Sequence, residues 1–171
     1  MQSMNVGRAE MDQAEDAAPV EMLAALFAAH GWSYEHVGDE EISGEVPGSW
    51  TTYQLRGVWR EEDHVLQLLC LPDIRVPDSK RRQAEELVTL INEQVWLGHF
   101  EIWSHGGVLL YRHAILLDDE GVLGLSMAQL AVESAVAEWD RFYPAFQFVL
   151  WGDKAPREAL DAALVDAAGE A

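Results

Sequence analysis

The sequence predicts an α+β domain: an antiparallel sheet of five to six strands with helices packed on one face, in the order α-β-β-β(-β)-α-β-β-α(-α). Three observations carry this reading. Apolar residues recur at spacings of three and four before Gly31, after Pro77 and again after Leu125, as helices with one buried stripe require. Between these stretches the period falls to two, the mark of strands with one face inward. Glycine, proline or acidic clusters sit where the period changes.

In order along the chain, Pro19 suits the first turn of a helix whose stripe is Val20, Leu23, Leu26, Phe27 and His30. Gly31 supplies a left-handed stop, and Trp32 can fold back on the last turn. From Trp32 to Arg75 the residues alternate. Ile42–Val46 leads into a Pro47-Gly48 turn, and then Tyr53, Leu55 and Trp59 share one face while Thr52, Gln54, Arg56 and Arg60 share the other. Glu61-Glu62-Asp63 turns the chain, and His64–Leu71 returns with apolar residues on both faces, completing a meander of three or four strands.

Pro77-Asp78-Ser79 starts a second helix, capped by Asp78 or Ser79, with Ala84, Leu87, Val88, Ile91 and Val95 inward and Gly98 as the stop. Residues 99–117 form a hairpin. Gly106-Gly107 reads as a two-residue turn, because both central positions can take positive φ. That register pairs His105 with Val108, Trp103 with Leu110, and Glu101 with Arg112 as a cross-strand ion pair. Asp118–Gly121 turns again. Ser126 and Gln129 have capping-box spacing, and Leu125 and Leu130 could staple the start of a long helix. Pro144 kinks or ends that helix, Ala145–Trp151 remains helical, and Gly152 stops it. A last helix spans Pro156–Ala167, with Leu160, Ala163, Leu164 and Ala167 on one side. The organisation is a polar, acidic tail over residues 1–17, an α+β domain over 18–152, and a C-terminal helix and tail over 153–171.

Eleven basic residues against thirty acidic ones leave a net charge of −19, which repels phosphate backbones and anionic lipid. Neither nucleic acid nor a membrane is an expected partner. The N-terminus lacks a basic region followed by an apolar core, and no apolar run spans a bilayer, so a cytoplasmic protein is expected. The single cysteine, Cys70, excludes an intramolecular disulfide and a cysteine zinc cluster, and lies in an apolar run as a buried small hydrophobe.

Three of the six histidines, His99, His105 and His113, fall within fifteen residues. Metal ligands must converge on one point, and the hairpin register puts His113 on the opposite face from the other two. A three-residue loop would set His99 opposite His113 and still supply no third ligand. The chain holds no glycine-rich phosphate loop, nucleophile elbow or metalloprotease helix pair, and its acidic turn lacks the spacing of a calcium loop. No catalytic residue, cofactor or metal is expected. Lys80-Arg81-Arg82 places cations at a helix N-terminus, against the macrodipole. Glu85 and Glu86 stand four residues on and offset part of this. The run is either a solvated turn or a weak contact for an anion or acidic partner.

A helix-covered sheet should present a polar second face. Here Val58, Leu69, Leu71, Trp103, Val108 and Leu110 put apolar bulk there, interleaved with Arg56, Gln67, Glu101 and Arg112. Seven tryptophans in so small a domain point the same way, since Trp is enriched at interfaces. The expectation is that this face, or an edge beside it, joins an identical subunit or a protein client; the alternative is that the C-terminal helix folds over it.

Three stretches resemble the YbjN family, described as regulators of bacterial sensory transduction and similar in turn to the type III secretion chaperone fold. Leu90-Ile91-Asn92-Glu93 through Gly98-His99-Phe100-Glu101 looks like the family's helix-end asparagine and glycine-aromatic strand start. Val108–Ala114 looks like its arginine-bearing strand, and Trp139-Asp140-Arg141-Phe142-Tyr143-Pro144-Ala145-Phe146 like its proline-interrupted last helix. The resemblance covers residues 18–152 and implies no catalytic residues. Asn92, Gly98, Arg112 and Pro144 become structural positions. The favoured reading is a non-enzymatic protein-binding module, a regulator or chaperone-like protein acting as a homodimer; in the secretion-chaperone analogy a disordered client segment wraps the surface or adds a strand to an open edge. A small-ligand sensor or an enzyme, with a pocket between helices and sheet, is the alternative.

Overall fold

A computed structural model describes residues 18–169, with side chains to residue 165; the expected tail over residues 1–17 lies outside them. The elements are α1 (Pro19–His30), β1 (Tyr34–Gly38), β2 (Glu41–Pro47), β3 (Thr52–Arg60), β4 (Val65–Leu71), α2 (Arg81–Asn92), β5 (His99–Ile102), β6 (Leu109–Leu116), α3 (Leu125–Leu150) and α4 (Pro156–Gly169). The strands form one antiparallel sheet in the order β1-β2-β3-β4-β6-β5. This is the α+β architecture that the periodicities predict.

α1 ends as its sequence requires. Gly31 adopts φ 71°, its N–H bonds Ala28 O, and Trp32 N–H bonds Phe27 O. The helix lies close on β2 and β3 because Gly44 and Gly57 face it: a Cβ at Gly44 would strike the Phe27 ring, and one at Gly57 would strike Leu23. Trp139 of α3 is fully buried at the centre of the main core, with Phe100 edge-on at 4.9 Å and its indole N–H bonded to Cys70 O at 2.8 Å. Each such fully buried side chain contributes roughly 1.5–3 kcal/mol. Burial pushes the Cys70 thiol far above its usual range, which leaves it inert.

Four local expectations are corrected. The β5–β6 register is Phe100↔Tyr111 and Glu101↔Leu110, and Trp103 N–H bonds Val108 O, so Ser104–Gly107 make a four-residue loop. The cause is long-range: the chain after β4 pairs with the start of β6, through Val76 N–H to Gly107 O and Leu109 N–H to Ile74 O. Both glycines do take positive φ, 74° and 62°. A shift of two residues leaves every side chain on its predicted face.

The second correction is at α3, which begins at Leu125 behind an extended Gly124. Ser126 is therefore already helical and caps nothing, Gln129 bonds Glu133, and Leu125 and Leu130 are both exposed. Third, α2 begins at Arg81 after a short 3-10 turn, without a side-chain cap from Asp78 or Ser79, and ends at Asn92 rather than Gly98. Fourth, α3 runs unbroken through Pro144 to Leu150. Pro144 has no N–H to offer Asp140 O four residues back. The Trp50 indole N–H fills the vacancy at 3.0 Å, so the proline ties the β2–β3 loop to the helix.

α4 packs on α2 and α3, giving Ala159, Leu160 and Ala163 to the main core. It does not cross the sheet's second face, which disposes of the alternative in which it seals that face.

One half-buried group sits in tension with the core. Glu138 of α3 has an Oε2 that is buried without a hydrogen-bond partner, and burial raises its pKa against the pull of Arg141. A carboxylate raised in the folded state loses stability for the protein as pH climbs from the ordinary carboxylate value through the raised one, and the loss persists above it. Glu138→Gln is therefore expected to raise the melting temperature by a few degrees at neutral pH. Calorimetry should show that gain closing as the buffer is acidified below the ordinary carboxylate value.

Candidate functional site

Parity along the strands sorts the second face. Glu35, Ser43, Arg56, Leu69 and Arg112 lie in one row across the sheet, and Glu45, Gln54, Leu71, Leu110 and Glu101 are drawn from neighbouring positions on the same face. No described helix packs there. Leu69, Leu71 and Leu110 form a second apolar cluster, with Trp103 and Val108 packed against it. Five of the six residues singled out for this face thus come together. The sixth, Val58, lies apart between Glu41 and Gln67.

Leu110 is 0 % exposed and Leu69 only 6 %, so neighbouring side chains already shield the centre. Arg112 is one of these. Its Nε donates to Glu101 at 2.6 Å and its guanidinium also reaches Gln67 at 3.3 Å. Glu101 and Arg112 pair diagonally, because the register shift puts Leu110 directly opposite Glu101. Arg56 pairs with Glu41 further along.

Beside the cluster lies a groove of about 840 Å³, floored by β1–β3 and walled by the chain after β4 and the β5–β6 loop. Its floor carries Glu35, Glu45 and Gln54; its wall carries Asp73, Arg75, Trp103 and Val108. Sequence reasoning missed its carboxylates. They come from separate strands, and no local spacing marks them. The groove is on the opposite side of the sheet from the helices, whereas the space between helices and sheet is filled by Tyr53, Phe100, Tyr111 and Trp139.

The two edges of the sheet differ. Trp103 N–H bonds Val108 O, so the odd-numbered residues of β5 face β6, and Phe100 and Ile102 turn their backbone outward. Asn92 meets Phe100 with both ends of its amide: Nδ2 donates to Phe100 O at 3.0 Å, and Phe100 N–H donates to Oδ1 at 2.8 Å. Arg81 donates to Trp103 O at 3.0 Å and Ile102 O at 3.4 Å, and also holds Glu85 at 2.6 Å. Gly98, at φ 68°, lets the chain enter β5 where a side chain would strike Arg112 O and the Tyr111 ring. The Tyr111 hydroxyl bonds Leu97 O, and burial pushes its pKa up to about 12. The β5 edge is closed. At the other end, all five residues of β1 are exposed, with a bulge between His36 and Gly38, a common way of blunting an edge.

The remaining residues of interest have structural partners. Lys80 pairs with Asp153, and Arg81 serves the β5 edge, which leaves Arg82 as the exposed cation of the run. His99 Nε2 stands 3.6 Å from Glu101, whereas His113 faces the helices, where burial lowers its pKa. Among the described residues no three His, Cys, Asp or Glu side chains are placed to hold a metal ion, and no helix is long and apolar enough to cross a membrane.

The model of the YbjN family, described as "Putative bacterial sensory transduction regulator", matches residues 19–148. The chain belongs to the YbjN family. A crystal structure of YbjN from E. coli, described as a "putative transcription regulator", superposes with a TM-score of 0.52 at 9 % identity, covering 70 % of this chain and 84 % of that one. At that identity the likeness shows the fold alone. Among curated proteins none matches the sequence. Within the YbjN frame Asn92, Gly98, Arg112 and Pro144 each hold the fold together: edge cap, strand entry, face pair and loop tie.

Proposed function

We propose that this YbjN-family chain is a non-enzymatic regulator that acts in the cytoplasm by binding protein, and that it does so as a homodimer joined through the open sheet face. One observation carries the reading: the described helices pack on one side of the sheet, and the other side holds an apolar cluster with no described helix over it. Charge supports it. Outside the groove, the strand residues on this face are two glutamates (41 and 101) against three arginines (56, 60 and 112), nearly neutral on a chain of net charge −19. Two copies repel least where their charge cancels. The contact between copies is this cluster, met at its partly exposed rim of Trp103 and Val108. A client that adds a strand has β1 to use, because Asn92 and Arg81 occupy the β5 edge.

Sedimentation at micromolar concentration should give a dimer, and Trp103→Arg should give a monomer whose melting temperature stays within a few degrees of the parent, since Trp103 is only partly buried. A monomeric parent chain would end the dimer reading. The groove favours a second reading, a small-ligand sensor. A saturable thermal shift with a metabolite, in a chain that binds no polypeptide, would put that reading first.

A further inference from the structure

We infer that the groove beside Trp103 receives a cationic, amphipathic segment of a partner polypeptide. The inference rests on the reading of the open face as a protein-binding surface, and names what the polar half of that face binds. The apolar cluster and the groove lie side by side, with Trp103, Val108 and Leu71 as the crest between them.

Three carboxylates line the groove, Glu35, Glu45 and Asp73, and none makes an ion pair or side-chain hydrogen bond among the described residues. Arg75 is its one lining cation. The local field is negative inside the field of a chain carrying −19, so phosphate, acidic lipid and a second acidic copy are all disfavoured occupants. Positive charge is what the floor lacks. The opposite wall offers an indole and two aliphatic side chains, which suits leucine or valine and also the face-on approach of a lysine or arginine. An extended segment sends alternate side chains to opposite sides. Cationic residues at every second position would meet the carboxylates, and apolar residues between them would meet the Trp103 wall. The volume, about 840 Å³, lies in the upper part of the range for ligand clefts, and the groove is open to solvent, so a passing chain can enter and leave it.

The test uses the full chain and a short fluorescein-labelled peptide alternating lysine with leucine, with the glutamate–leucine peptide as its opposite. Anisotropy should show saturable binding of the lysine peptide that weakens with salt, and none of the glutamate peptide. A protein so acidic attracts any cation, so the deciding comparison is between two variants of equal charge. E35Q/E45Q/D73N removes the groove carboxylates; E61Q/E62Q/D63N removes three exposed ones from the turn before β4. The groove variant should lose about tenfold in affinity, the turn variant less than twofold. Equal losses, or no binding by the parent chain, overturn the inference. Melting curves of both variants guard against unfolding. A dimer whose peptide affinity ignores the groove variant would sink this inference alone, while a monomer that still discriminates the variants would sink the dimer and keep the groove.

Discussion

Asp140→Ala should destabilise the protein by about 3 kcal/mol and lower its melting temperature by roughly 6–12 °C, on the scale expected when hydrogen bonds to a charged acceptor are lost from a domain of this size. The carboxylate on α3 accepts from Ser49 N–H at 2.9 Å, from the Ser49 hydroxyl at 3.0 Å and from the buried Tyr53 hydroxyl at 2.8 Å. The two bonds to Ser49 are solvent-exposed and contribute the lesser share. The Tyr53 hydroxyl is different: with its partner removed, a polar group in the core is left unpaired. Its pKa is already raised, first by burial and then by the bond to Asp140. Asp140→Asn keeps one acceptor oxygen and should cost about half as much. Urea titrations followed by tryptophan emission check both, and a loss below about 1 kcal/mol for the alanine variant would show that the loop holds to the helix without this residue.

Asn92→Ala should cost about 2–3 kcal/mol, since it leaves the outward N–H and C=O of Phe100 without partners beside the core. It should also uncover the β5 edge. Asn92→Asp is the sharper variant: it retains an acceptor for Phe100 N–H but sets a second oxygen against Phe100 O, so it should not rescue the alanine variant. Hydrogen exchange at Phe100 and neighbouring amides, with light scattering for self-association, reads the two effects separately. Wild-type protection at Phe100 in the alanine variant would show that something other than Asn92 closes the edge.

Much of this architecture was legible because its signals are local. Gly31 and Trp32 specify a helix stop within two residues, and the alternation from Thr52 to Arg60 sets which side of β3 faces the helices. The two-sided apolar character of β4 already exposed the second face. What was not legible depends on distant pairing. The hairpin register follows from Ile74 and Val76, which lie far upstream of the Gly106-Gly107 turn and pull its loop open to four residues. The capping box at Ser126 lost to an earlier start, because Gly124 is extended and the first turn forms at Leu125. Pro144 could have kinked or ended the helix; it does not end it, and an indole from residue 50 takes the freed carbonyl of Asp140. The groove is the extreme case. Glu35, Glu45 and Asp73 are ordinary surface carboxylates in sequence, and only strand order brings them onto one concave surface.

The closed β5 edge limits how copies of this chain can grow into larger objects. A sheet with two free margins can recruit neighbours at both ends and lengthen without limit, which is the geometry of a fibre. Here one margin is spent on Asn92 and Arg81, and the other is bent by the bulge in β1, so neither end presents a flat, unpaired row of backbone groups. An asparagine amide and an arginine thus withhold one whole margin from strand-mediated growth.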